Sequence, residues 1–360
     1  MSVRPRTLSI MSESQPILDP LSPAALFLVA TIGEGGESMV RDLLADLPGL
    51  RRSVGFRLPG ANLACIVSIG SAAWDRLFAG PRPAELHEFP AYQGPRHTAP
   101  ATPGDLLFHI KAESADACFE LAMVIGDRLR GAVTIVDETV GFRYFEQRDL
   151  LGFVDGTENP EGALAASTAL IGAEDPAFAG GSYVIVQKYL HDLETWNALP
   201  VSEQELVIGR TKLGDYEMSD ADKPANSHVA VNTLYDPDGT QRQILRANMP
   251  FGSVREGEFG TYYIAYAATP DVTERMLVRM FLGTDEAPYD RILDFPTAIT
   301  GTLFFTPAND FFDDLPDAPE QEADAEQDLE LGAAGIAELS AAAPSGDGSL
   351  GIGTLKRIPQ

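Results

Sequence analysis

Strand-length apolar runs and stretches of helical periodicity follow one another in the same order twice along these 360 residues. That order constrains the fold more than any single motif. Ala25 to Ile32 is a continuous apolar run closed by a glycine-rich break at Gly33 to Gly36, the pattern of a buried strand and a turn. Met39, Val40, Leu43, Leu44 and Leu47 then recur at helical spacing between charged residues. Cys65 to Ile69 and Leu106 to Ile110 read as strands. Ser114 to Leu129 reads as a helix burying Cys118, Leu121, Met123 or Val124, and Ile125, and Val133 to Val136 as a closing strand. Strand-helix-strand-strand-helix-strand is the ferredoxin-like order, with helices on one face of an antiparallel sheet. Trp74 to Gly104, between the inner strands, is Pro-rich and reads as a surface excursion. Its His87 and His97 have no second metal-type ligand at regular spacing and read as structural or solvated.

After residue 150 the order recurs. Tyr183 to Tyr189 reads as a strand, Asp192 to Leu206 as helical turns, and Gln243 to Met249 and Thr261 to Ala267 as strands. Val272 to Leu282 is an amphipathic helix and Thr302 to Thr306 a last strand. The expected fold is α+β: two tandem ferredoxin-like domains with antiparallel sheets, at 21–147 and 148–308, after a loose arm at 1–20. Length agrees with two domains. Acidic residues number 53 against 26 basic, a net charge of −27, which repels nucleic-acid phosphates and argues against that partner. Cys65 and Cys118 are too few for a disulfide framework and fit a reducing compartment. No apolar run reaches the ~18–20 residues of a membrane span. Arg4 and Arg6 lead into polar, Pro-rich sequence instead of a signal core, so the expectation is cytoplasmic.

Leu151-Gly152-Phe153-Val154-Asp155-Gly156-Thr157-Glu158-Asn159-Pro160 is the most distinctive segment. Gly152 and Gly156 bracket one carboxylate, and glycine admits backbone conformations and close approaches that a Cβ blocks. The segment resembles the GxxDG signature of the dye-decolourising peroxidases, haem enzymes. Further segments match that family in order. They are Ile208-Gly209-Arg210-Thr211-Lys212, Asn226-Ser227-His228-Val229, Gln243-Ile244-Leu245-Arg246-Ala247-Asn248-Met249-Pro250, Tyr289-Asp290-Arg291-Ile292-Leu293 and Thr300-Gly301-Thr302-Leu303-Phe304-Phe305. The resemblance spans roughly Pro23 to Pro307, and the short, insertion-poor chain is most similar to the bacterial B-type branch.

The resemblance implies one haem b per chain, held mainly by the second domain, with His228 as the axial ligand of the iron. A neutral imidazole binds metal through one nitrogen while the other donates to a carboxylate, which raises ligand basicity. Asp290 is the first choice for that carboxylate and Asp294 the second. Asp155, Arg246 and Asn248 are implied on the peroxide side. There a fixed cation stabilises separating charge, and a carboxylate accepts the peroxide proton. Strand alternation places Ile244, Arg246 and Asn248 on one face. Whether Asp155 or Arg246 carries the proton stays open. Arg210 is implied as the partner of a haem propionate, with Gly156 and Glu158 also at the cofactor. Glu158 and Glu217 are candidate manganese ligands, since hard carboxylate oxygens suit that ion. Trp74, Trp196, Tyr262, Tyr263 and Tyr266 are ordinary core aromatics or, alternatively, carriers of electrons to bulky donors. The implied activity is reduction of hydrogen peroxide to water with oxidation of dyes, phenolic or lignin-like compounds or Mn(II). The alternatives are a haem carrier or iron-releasing protein, or a non-haem adaptor.

Composition changes after Pro307. Acids recur from Asp310 to Glu338 with no Lys or Arg, which favours a disordered linker over 309–345. The end, 346–360, then supplies Leu350, Ile352 and Leu355 in a Gly-rich stretch. It resembles the peptide that loads enzymes into encapsulin shells, which implies a shell partner contacted through Ser349 to Leu355 and residence inside an encapsulin nanocompartment. A homo-oligomer is a further family expectation.

Overall fold

Ala24–Ile32 is the central strand of the first half, paired antiparallel with Leu106–Ala112 on one side and Val133–Phe142 on the other. Ala64–Gly70 pairs beyond Leu106–Ala112. The order across this sheet is therefore fourth, first, third, second. The second half repeats it with Thr302–Thr306, Ser182–His191, Glu258–Ala267 and the pieces Leu245–Arg246 and Met249–Ser253. This computed structural model describes residues 13–320.

The two halves share one ten-stranded antiparallel sheet. Thr302–Thr306 of the second half pairs with Ala64–Gly70 of the first, and Ser68 and Thr306 join their hydroxyls across this seam at 2.7 Å. The sheet curls, bringing Val133–Phe142 against Met249–Ser253: a Cβ at Gly141 would lie 2.6 Å from Met249 Cβ. The enclosed face carries Phe27, Leu107, Val184, Ile264 and Phe304, all buried. Each such apolar side chain contributes about 1.5–3 kcal/mol relative to exposure.

On the outer face, helix Glu37–Gly55 buries Val40, Leu43, Leu44 and Leu47. Met39, grouped with them by spacing, is 43% exposed because it lies at the edge of the apolar stripe. Helix Ala115–Arg128 buries Cys118, Leu121 and Ile125. Val124 packs against the core while Met123 is 48% exposed. Both cysteines are buried and unpaired.

Three boundary expectations need correction. Residues 13–20 of the expected loose arm are docked: Ile17 is buried. Gln15 uses its whole amide, donating to the carbonyls of Val67 and Pro307 and accepting the Val67 N–H, each at 2.9 Å. The expected linker is ordered at its start, since Phe312 is buried and Phe311 packs on Trp74 and Phe78. The Ala79 N–H also donates to the Asp317 carbonyl at 2.8 Å. Apolar anchors outweigh the acidic composition there. The Trp74–Gly104 stretch is more than a surface excursion, because Leu86, Phe89 and Tyr92 are buried. His87 meets Glu274 at 2.7 Å and His97 meets Asp294 at 3.1 Å, tying it to the second half. Among the described residues no helix is long and apolar enough to cross a membrane. The expected shell-targeting peptide lies outside the described residues.

Candidate active site

The Gly152–Pro160 loop is built on a short hairpin. The Asp149 N–H donates to the Phe153 carbonyl at 2.9 Å and the Asp155 N–H to the Gln147 carbonyl at 2.8 Å, with Arg148 opposite Val154. The turn needs Gly152, at φ +93°, where a Cβ would also lie 2.5 Å from Lys212 Cε. Arg148 donates to the carbonyls of Gly152 and Lys212 at 2.9 and 2.7 Å. The buried indole of Trp196 donates to the Leu151 carbonyl at 2.9 Å, and Lys212 lies over the rings of Phe153 and Trp196. These contacts leave the Asp155 carboxylate facing a cavity.

Two partners meet Asp155. Asn248 Nδ2 donates to Oδ2 at 3.0 Å, and Arg246 Nη2 lies 3.8 Å from Oδ1. The single strand expected over 243–249 is interrupted, as Leu245–Arg246 and Met249–Ser253, although the pairing register on Glu258–Ala267 is kept. The reason is local: Asn248 Oδ1 takes the Ile264 N–H at 3.0 Å, a donor the ladder would otherwise use. Asn248 thereby fixes its amide and aims Nδ2 at Asp155. Asn159, unassigned in the sequence, holds the loop to this strand. It donates to the Arg246 carbonyl at 2.8 Å and accepts the Arg246 N–H at 3.0 Å. An Asn-Pro at the close of the loop was the available signal.

His228 begins the short helix His228–Asn232, capped by the Ser227 hydroxyl. Its Nδ1 meets Asp290 Oδ2 at 2.7 Å. Asp290 is 0% exposed, yet both oxygens are satisfied: Asn232 Nδ2 reaches Oδ2 at 3.1 Å and the Ile292 N–H reaches Oδ1 at 3.0 Å. With Nδ1–H donating to this carboxylate, Nε2 carries the free lone pair. Asp294 is turned elsewhere, to His97, Tyr289 and Arg96.

Asp155, Arg246, Asn248, His228, Arg210 and Glu158 line one cleft of about 1460 Å³ of empty space, its open mouth included. Met276, Leu277, Met280 and Ile292 give the lining an apolar part. Arg210, 9% exposed, pairs with Glu158 and approaches Asp215 and Glu217 at 3.5 and 3.8 Å. Its guanidinium already serves as a carboxylate receptor. Glu217 is further held by Lys223 at 2.5 Å, and no cluster of three or more metal-ligating groups occurs among the described residues. Gly156 does not line this cleft. It sits at φ +85° in the turn next to Asp155 and borders a smaller neighbouring cleft that Asp155, Arg246 and Asn248 also line. Trp74, Trp196, Tyr262 and Tyr266 are fully buried, and Tyr263 borders the cleft. His191 also lines it; its Nδ1 is buried without a partner, and burial pushes the imidazole down to about 4.

A duplicated α+β fold carrying an imidazole–carboxylate pair and a carboxylate–guanidinium–amide set on one partly apolar cleft is of the enzyme class. The family profile described as Dyp-type peroxidase, N-terminal, matches residues 14–143 and its C-terminal counterpart residues 146–311. The chain belongs to the Dyp-type peroxidase family. It is 59% identical over 346 residues to a dye-decolorizing peroxidase of Rhodococcus erythropolis strain PR4, covering 96% of this chain and 98% of that protein. The encapsulated DyP-type peroxidase from Mycobacterium smegmatis, solved by cryo-EM, superposes with a TM-score of 0.84 at 63% identity, covering 86% of this chain and 100% of that one. A variant of DypB from Rhodococcus jostii RHA1 in complex with heme gives a TM-score of 0.82 at 55% identity, over 84% of this chain and 99% of that one. Another variant of that protein was solved in complex with manganese.

Proposed function

We propose that this chain is a B-type dye-decolourising peroxidase that holds one haem b in the cleft and reduces hydrogen peroxide to water at the expense of organic or metal donors. The observation that carries this is the His228–Asp290 pair on the same cleft as Asp155, Arg246 and Asn248. The donor set fits the group: a lone pair on Nε2 for iron, Arg210 for a carboxylate-bearing edge, and apolar side chains for a macrocycle. The heme complexes of DypB support the same reading.

Bound there, haem iron would supply the redox chemistry that splits peroxide and accepts electrons back from donors. Asp290 fixes the His228 tautomer by accepting the Nδ1 proton, and Asn232 and the Ile292 N–H keep that buried carboxylate in place. Asp155 Oδ1 is the base for the peroxide proton. Arg246 offsets negative charge as it develops, and Asn159 fixes the backbone from which it extends. Asn248 keeps Asp155 Oδ2 engaged, leaving Oδ1 toward Arg246. Dyes, phenolic or lignin-like compounds and Mn(II) are the proposed donors. Glu158 and Glu217 would first have to leave Arg210 to receive the metal.

We further propose that the enzyme is cytoplasmic encapsulin cargo, addressed through Ser349 to Leu355, and a homo-oligomer. The encapsulated relative from Mycobacterium smegmatis supports the cargo part of this reading. The test of the enzyme is haem absorbance in the purified protein, followed by stopped-flow mixing with peroxide. A haem-loaded protein that ignores peroxide would favour a carrier, and a protein that takes up no haem would favour the adaptor. The test of the address is truncation after Ser345. It should leave haem content and turnover unchanged and abolish co-purification with a co-expressed shell protein; normal packaging of the truncated chain would refute it.

A further inference from the structure

We propose that Asp149 is a positioning residue of this site, a second titrating carboxyl whose charge acts through Asp155 and sets the alkaline limit of the peroxide reaction. This rests on the role given to Asp155 above. The geometry comes from the hairpin. Gln147 is paired with Asp155 and Asp149 with Phe153 through the two backbone hydrogen bonds around Arg148 and Val154. Asp149 is therefore the diagonal neighbour of Asp155 across one face of the ladder, a separation of about 7–8 Å. Both border the same cleft.

The surroundings of Asp149 supply hydrogen bonds but little compensating charge. Its Oδ1 accepts the Phe153 N–H at 3.0 Å. Lys212, whose field reaches it, is itself drawn away: its ammonium donates to Gln204 Oε1 at 2.6 Å, and its N–H goes to Glu205. Arg148 spends its guanidinium on backbone carbonyls and Glu146. His191, on the same cleft, stays neutral down to about pH 4. Burial first, and the charge of Asp155 second, push the Asp149 carboxyl up to about 7, against the pull of the backbone N–H groups.

Around neutrality the site then holds one acid and one base of the same residue type, the arrangement that separates proton donor from proton acceptor. Below the Asp149 transition its carboxyl is neutral, and Asp155 faces the Arg246 guanidinium without a competing anion. Above it, a second negative charge on the same face offsets the Arg246 guanidinium beside Asp155, where negative charge develops. At an effective dielectric near 20 and this separation, the opposing charge amounts to about tenfold or more. The peroxide reaction slows accordingly.

The experiment compares the haem-loaded parent with Asp149→Asn and Asp149→Glu by stopped-flow across the neutral to alkaline range. The parent should lose about tenfold in rate through one inflection near neutrality. Asp149→Asn should lose the inflection, and Asp149→Glu should retain or displace it. The second readout is infrared: a protonated carboxyl band in the parent should titrate with the same midpoint and be missing from Asp149→Asn. An unchanged inflection in Asp149→Asn, or no such band in the parent at mildly acidic pH, overturns the proposal. A parent inert to peroxide would sink the peroxidase reading instead, and the infrared titration would still decide whether Asp149 holds a proton. If Asp149→Asn does not fold, Asp149→Glu and the parent's infrared titration carry the same decision.

Discussion

Asp290→Asn is the sharpest perturbation of the imidazole wall. Asp290 is fully buried, with Oδ1 on the Ile292 N–H and Oδ2 on His228 Nδ1 and Asn232 Nδ2. The amide keeps the shape but must put an NH2 group against one of these donor sets. If it faces Ile292, two N–H groups collide. If it faces His228, Nδ1 can only accept, the ring proton moves to Nε2, and that nitrogen has no lone pair for iron. Either way a charge-assisted bond worth about 1.5–3 kcal/mol is lost. Loss of a partner behind a metal-binding imidazole costs about 10–100-fold in affinity, the same scale at 1.4 kcal/mol per decade. The assay is haem transfer to apomyoglobin, with urea unfolding of the haem-free protein alongside. Asp290→Asn should lose haem about 10–100-fold more readily, and Asp294→Asn should not. Equal retention by Asp290→Asn and the parent would refute the assignment.

Arg246→Leu should slow the reaction with peroxide by about 10²–10³-fold while haem content holds, measured by stopped-flow; Asp155→Ala should be comparable or milder. Asn159→Ala removes both clamps on Arg246 and should cost about 1–3 kcal/mol in urea unfolding. It should also slow the peroxide reaction, with a smaller effect on the Soret spectrum than a His228 substitution. The pH dependence of the haem-free protein should report His191. Its folded value, about 4, lies below the ordinary 6.5, so the unfolded chain takes up a proton first as pH falls. Stability should therefore decline from about pH 6.5 toward 4, and His191→Gln should reduce that decline in a series of denaturation midpoints.

Strand and helix order was legible because each element has a strong local period: the apolar run at Ala25 to Ile32 and the stripe at Cys118, Leu121 and Ile125 needed no distant information. What local pattern could not carry was closure. The seam between Ala64–Gly70 and Thr302–Thr306 joins residues more than 200 positions apart, and nothing in either strand names its partner. The same holds for Phe311 and Phe312, whose acidic neighbours suggest a solvated chain until Trp74 and Phe78 are seen beneath them. Site residues divide along similar lines. His228, Asp155 and Arg246 stand in distinctive segments, and their convergence on one cleft follows from the fold. Asn159 and Asp149 act through backbone contacts and burial, which a linear pattern does not display. Gly156 shows another case: its glycine character was plain, but which cleft its turn borders was not.

The most direct measurement is a crystal structure of the protein purified from cells supplied with a haem precursor. Density for one haem in the cleft, with iron on His228 Nε2 and Asp155 and Arg246 on the face away from that ligand, is the predicted result. An iron bound by another residue, or haem seated outside the cleft lined by His228, Arg210 and Asp155, would contradict it.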